Sequence, residues 1–384
     1  MGGGASKKVA YAADALDAAL VPEGGYADFD ALYGPDPDPL TLGRGRLGSP
    51  ITTCVRRSDG ARAAVKTLGG AGASLPELQR LVAVYDALKR DRYARHVPVL
   101  DACLSPETRT LRVATAIAEG GALLPHCAAA APWTEERLRL LLRRVLATLA
   151  AAHGAGLVHR QVRAENVLSR TGGLEDPLLG GWSLARPTAR ADGEAGDGAF
   201  VDRQRDFLYV APELIGCGKA SLLVSPKQDV WSFGVLFHVL LFGASPAAPD
   251  DARADDKDGV AAALARLRAR ESGFDEGAVG ALAATTTAYC RGALRDALLV
   301  DPEKRPTAAA LLGYKWFVDD APSTKDRRLA AAALDAFIAR RAGRPEYAEC
   351  RAHFGRAARG AHAAGGQRDR DVHARVEGKK HLFA

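Results

Sequence analysis

Residues 156–168 read GLVHRQVRAENVL. An apolar pair, Leu157 and Val158, runs directly into His159, Arg160 and Gln161, and Asn166 follows five residues after Gln161. The segment before it, LLRRVLATLAAAHGAGLVH, reads as a long helix that delivers the chain to this loop. A helix and a short apolar strand therefore bring a cluster of hydrogen-bonding and basic side chains to one place. The amide of Gln161 can donate and accept hydrogen bonds, but it takes up no proton near pH 7.

A second cluster lies upstream. From Leu40, LGRGRLGSPITTCVRRSDGARAAVKTL predicts strand, glycine-rich turn, strand, hairpin and strand. Ser58-Asp59-Gly60 is the hairpin signal. Gly43, Gly45 and Gly48 form G-x-G-x-x-G, a weak pattern by itself in an alanine- and glycine-rich chain. It gains meaning from Ala63-Ala64-Val65-Lys66, because Lys66 lies 18 residues after Gly48. A glycine-rich hairpin lets backbone N–H groups approach phosphates, while a lysine on the next strand reaches beneath them.

Composition bounds the rest. The 384 residues suffice for one large domain or two lobes, and 47% hydrophobic with 26% charged residues is the balance of a globular protein. Of the net charge of +6, +5 falls on residues 318–384, which hold 14 Lys/Arg and 9 Asp/Glu. The nearly neutral body gives no sign of nucleic-acid binding. The six cysteines (54, 103, 127, 217, 290 and 350) form no close pair and read as reduced, mostly buried thiols of an intracellular protein. The longest apolar run, Val235 to Phe242, is interrupted by His238 and suits a buried helix rather than a membrane span.

The loop at 159–166 resembles the catalytic loop of protein kinases, His-Arg-Asp, four residues, Asn. The strand around Lys66 resembles the family's ATP-lysine strand. FLYVAPELI with Ala211-Pro212-Glu213, SPKQDVWSFGVLFHVLLFG with Asp229, and DPEKRPTAAALLGYKWF with Arg305 follow in the family's order and spacing. The resemblance covers about residues 38–317. It implies an α+β, two-lobed protein kinase fold: a small antiparallel-sheet lobe (38–118) and a larger helical lobe (119–317). Residues 1–37 are expected to be a flexible lead-in, and 318–384 a basic helix and tail.

The resemblance also assigns roles. Gly43, Gly45, Gly48 and Lys66 would hold ATP phosphates. Thr115 would guard the back of the nucleotide pocket, and the backbone of Ala116 to Ala118 would meet adenine. His159 and Arg160 would be architectural, Asn166 a metal ligand and Arg163 a phosphate contact. Asp229 would belong to the central helix, and Arg305 would pair with Glu213. The departures are as informative. Gln161 stands at the catalytic aspartate. In LLGGWSLAR, Gly181, Trp182 and Ser183 replace the metal-binding Asp-Phe-Gly, so Mg2+ is not expected to be retained. Leu81 stands near the position of the glutamate that would pair with Lys66, with Glu77 the nearest acid. Pro50 displaces a valine that would cover adenine, a place Ile51 could fill. Asp206 replaces a threonine of the activation segment.

Three functional readings follow. The first is a catalytically impaired serine/threonine-type kinase, a pseudokinase acting as scaffold or allosteric partner of another protein in signalling. The second is an active kinase that moves the ATP γ-phosphate by positioning through Lys66, Asn166 and Arg163. The third is a nucleotide sensor that binds ATP without metal. The start, MGGGASKK, matches the N-myristoylation pattern at Gly2, with Ser6, Lys7 and Lys8 following. It predicts a cytoplasmic protein with possible membrane association through an acyl chain. The basic helix DRRLAAAALDAFIARRAGR resembles the junction of calmodulin-regulated kinases and fits either docking on its own lobe or calmodulin binding.

Overall fold

The computed structural model describes residues 26–318 apart from 46–48, 91–94, 130–133, 189–206, 215–223, 247–268, 276, 278–279 and 281–284. The small lobe is one antiparallel sheet. Its strands are β1 (Tyr33–Pro35), β2 (Thr41–Arg44), β3 (Pro50–Arg56), β4 (Arg62–Gly69), β5 (Val99–Ser105) and β6 (Thr110–Thr115), ordered β1-β3-β4-β6-β5 with β2 on β3. The β3–β4 hairpin closes at Ser58-Asp59-Gly60, where Gly60 takes φ +71, a left-handed turn that glycine adopts without steric cost. The Asp59 carboxylate pairs with Arg56 across the turn. One helix, α2 (Leu75–Arg90), crosses the sheet with Leu78, Leu81, Val82, Tyr85 and Leu88 buried, the face set by their 3.6-residue spacing.

The lead-in is a correction. Residues 26–37 do not trail away from the sheet. A short helix, α1 (Phe29–Leu32), and strand β1 extend it, with Tyr33 pairing against Arg56 and Pro35 against Cys54. Tyr33 is 1% exposed, and its hydroxyl donates to Asp101 Oδ2 at 2.5 Å. Arg112 donates to both oxygens of Asp30, at 2.7 and 2.8 Å, and lies over the Phe29 ring. A four-residue helix and a three-residue strand are too short to leave a periodic signal in the sequence.

The large lobe opens with strand β7 (Gly121–Ala122) and helix α3 (Leu123–Ala129) and is built on two longer helices. α4 (Glu135–Gly154) starts at Thr134, whose hydroxyl accepts from the Arg137 N–H. α5 (Pro226–Phe242) has Ser225 as N-cap, proline in its first turn and Gly243 at φ 66 as C-cap. It is buried almost throughout, His238 included, because the other helices pack around it. Glu135, 3% exposed, accepts from the Thr287 N–H and hydroxyl and from Trp316 Nε1, so the start of α4 is tied to the last described helices. Between α4 and α5 run β8 (Leu157–Val158), β9 (Val167–Ser169), β10 (Pro177–Leu179) and β11 (Arg186–Pro187). β8 pairs with β11 and β9 with β10, which sets the loops at 159–166 and 180–185 side by side beneath the sheet. No described helix is long and apolar enough to cross a membrane.

Candidate nucleotide cleft

Between the lobes lies a cavity of about 220 Å³. Its apolar end is lined by Leu42, Ile51, Ala64, Val97, Val99, Val113 and Leu168, and its polar end by Arg44, Lys66, Gln161, Arg163, Glu165 and Asn166. Ile51 lies opposite both Gly43 and Lys66 in register and packs with Leu42 and Ala64. Ile51 thus forms part of the roof despite Pro50. Gly43 and Gly45 line the same cavity. A Cβ on Gly45 would lie 2.9 Å from Lys66 Cε, so the hairpin backbone rests directly on the lysine stem. Gly48 lies outside the described residues.

Thr115, Ala116 and Ala118 line the wall at the junction of the lobes. The Ala116 N–H is committed to Pro98 O at 2.9 Å, so any contact made through Ala116 falls to its carbonyl.

The floor is the loop quoted at the outset. The carboxylate of Asp229, fully buried, accepts from the His159 N–H (2.7 Å), the Arg160 N–H (2.7 Å) and His153 Nε2 (2.8 Å). Burial alone would raise the Asp229 pKa, but the His153 hydrogen bond and charge outweigh it and hold the group below the usual aspartate value. These bonds secure Arg160 at φ 64, a left-handed conformation unusual for a side-chain-bearing residue. The tautomer of His159 follows from its partners. Nδ1 faces the Gln161 N–H (3.1 Å) and must accept, so Nε2 carries the proton and donates to Gly180 O (2.8 Å). Burial depresses the His159 pKa and keeps the ring neutral. Trp182 stands edge-on to this ring at 4.4 Å and donates from Nε1 to Leu179 O.

Gln161 lines the cavity, and its backbone carbonyl accepts from Asn166 Nδ2 at 2.7 Å. Gly181 has φ +81, and a Cβ there would fall 2.3–2.6 Å from the Asn166 amide atoms. The amide of Asn166 therefore fills the space into which a side chain at 181 would project. Among the described residues the one lining carboxylate is Glu165, held 3.4 Å from Arg163 Nε. Glu175 and Asp176 lie elsewhere: neither lines the cavity, and Asp176 pairs with Arg95 and Arg170. Among the described residues no group of three His, Cys, Asp or Glu is placed to hold a metal ion. Mg2+ takes oxygen ligands in near-octahedral array, usually one or two carboxylates besides phosphate oxygens. One arginine-paired carboxylate and one engaged amide do not fit that demand.

The lysine and the helix above it each have another partner. Lys66 Nζ donates to Ser183 Oγ at 3.2 Å. Leu81 is core, 5% exposed, and offers Lys66 no carboxylate. Glu77 accepts from Arg186 Nη2 at 2.6 Å, which links α2 to β11. Far from the cleft, Arg305, with no side-chain exposure, donates to both oxygens of Glu213 at 2.9 and 3.1 Å. The roles of Ser183, Arg186, Arg44 and Glu165 in this arrangement went unread in the sequence. Ser183 was legible only as a missing glycine, because its partner lies 117 residues away.

Residues 39–317 match the protein kinase domain family, and the chain belongs to it. It is 25% identical over 249 residues to a calcium and calcium/calmodulin-dependent serine/threonine-protein kinase of Lotus japonicus, an alignment covering 64% of this chain and 43% of that one. The chain spans about half the length or less of curated relatives such as this. Its fold is similar to the twitchin kinase region of C. elegans, with TM-score 0.65 and 20% identity over 85% of this chain and 54% of that one. It is also similar to Rad53 1–466 in complex with AMP-PNP, with TM-score 0.55 and 21% identity over 74% and 65%. The chain therefore carries a serine/threonine-type protein kinase domain in the two-lobed α+β fold.

Proposed function

We propose that this protein is a pseudokinase, a kinase domain that holds ATP in its cleft and acts on a protein partner through its shape rather than by phosphoryl transfer. One observation carries the reading: the amide of Asn166 occupies the side-chain space beside Gly181, while Gln161 supplies no base. Loss of a general base alone removes roughly 10²–10⁴ in rate, and a missing metal removes several kcal/mol more of charge stabilisation. The binding half rests on Lys66, the glycine hairpin and an apolar wall lining one cavity. The likeness of fold to a kinase solved with an ATP analogue agrees with it.

The test is γ-phosphate transfer from labelled ATP to generic protein substrates, beside ATP binding by the same preparation. Binding with transfer at least ~10²-fold below ordinary kinase rates of about 1–100 s⁻¹ is expected. Transfer within that range, abolished by Lys66→Ala, would establish an enzyme that works by positioning instead. Acylation of Gly2, and with it recruitment of a cytoplasmic protein to membranes, is a separate proposal. Residues 1–25 and the basic segment after Val318 lie outside the described residues. The mass of the chain co-expressed with an N-myristoyltransferase decides it.

A further inference from the structure

Among the described residues that line the cleft, Lys66, Arg44 and Arg163 stand with one carboxylate, Glu165, a net charge of +2. Such a site suits an anion and repels a divalent cation. A magnesium ion seeking Glu165 would meet Arg163 beside it. It would also find Asn166 turned toward Gln161 and the space at Gly181 already filled. We infer that the cleft takes its nucleotide as the metal-free polyphosphate, with Lys66, Arg163 and Arg44 supplying the counter-charge in place of a metal. The inference rests on the nucleotide reading above.

Physical chemistry favours the exchange. A free triphosphate carries two more negative charges than its complex with a divalent cation, and the excess charge of the lining residues matches that difference. Guanidinium groups bind phosphate oxygens in a planar two-pronged array and shed water more readily than an ammonium does, so two arginines suit an uncomplexed phosphate chain. They are also differently placed. Arg163 is on the floor, its side chain 15% exposed, while Arg44 is an exposed residue of the glycine hairpin above. Lys66, which lines the same cavity, is steadied by the Ser183 hydroxyl. The phosphates would thus meet positive charge from roof and floor, with no transfer step implied.

Calorimetric titration of the full chain with ATP, ADP and adenosine, in excess EDTA and in excess Mg2+, tests this. ATP is expected to bind about tenfold tighter in EDTA than in Mg2+, and affinity in EDTA to rise from adenosine through ADP to ATP. Arg163→Gln and Arg44→Gln should each weaken ATP binding in EDTA several-fold and leave adenosine binding unchanged. Arg44 is exposed, so its variant remains informative if Arg163→Gln melts early. ATP binding that needs Mg2+, or is strengthened by it, overturns the inference and leaves the nucleotide reading standing. Equal affinity for adenosine and ATP in EDTA, or no effect of either arginine variant, also overturns it. Absence of binding by all three compounds under both conditions overturns the nucleotide reading itself.

Discussion

The loop at 159–166 has two sides. On the inner side, the Asp229 carboxylate is saturated by two backbone N–H groups and His153, and His159 is satisfied at both ring nitrogens. On the outer side, facing the cleft, the same loop offers an amide at 161 and an amide at 166, beside a glycine at 181. The inner side holds the backbone in a left-handed turn at Arg160 without calling on any group that would act on a substrate. Shape and phosphoryl chemistry are therefore separable here. The scaffold depends on buried backbone bonds, and the chemistry on a few half-buried side chains that line the cleft.

Removing the inner anchor should do most to break that contrast. Asp229→Ala strands two buried N–H groups and His153, and is expected to cost roughly 3–5 kcal/mol in chemical denaturation. A loss under about 1 kcal/mol would mean the loop holds its shape by other contacts.

Acid should act through the buried histidines of the large lobe. Burial lowers the His238 pKa from 6.5 to about 4 and depresses His159 as well. Because the folded pKa of His238 lies below the unfolded one, the unfolded chain binds more protons between pH 4 and 6.5. Stability is then full above pH 6.5 and falls as pH drops through that window, by up to roughly 1.4 kcal/mol per pH unit for each such histidine. Melting temperatures across this range check the slope, and His238→Gln should flatten part of it.

The outer side should respond more weakly. Gly181→Ala places a Cβ against the Asn166 amide at φ +81, and is expected to cost about 1–2 kcal/mol. A neutral result would show that Asn166 swings aside freely, which would reopen the question of a metal ligand at 181. Smallest of all, Gln161→Asp changes a cavity-lining residue while its backbone N–H stays on His159, and should shift stability by no more than about 0.5 kcal/mol. Alone it should not restore transfer. The double change with Gly181→Asp sharpens the point: restored transfer would show that these two positions carry the whole defect.

The sequence was most legible where a residue's task is local or patterned. The hairpin at 58–60 and the buried face of α2 follow from turn chemistry and 3.6-residue spacing, and the resemblance to protein kinases marked the helix around Asp229. The two replaced positions, Gln161 and Gly181, were visible as well, because a carboxylate cannot hide behind another residue type. Less legible were the small pieces and the distant pairs. Strand β1 is three residues long, and Glu77–Arg186 spans 109 positions. Glu135–Trp316 spans 181.

By itself, then, the sequence determined the two-lobed fold, the place of the cleft and the absence of an aspartate at 161 and 181. The first two were implied by the resemblance to protein kinases, and the third follows from which functional groups exist at all. Only the tertiary structure decided what fills the gap. It turned Asn166 into the space at Gly181, set Ser183 beside Lys66, and brought Arg44 and Arg163 to one cavity with Glu165, the one acid among its described lining residues. The reason is physical: a side chain's charge and chemistry are written in one residue, but its neighbours are chosen by packing between segments that meet only when the chain is folded.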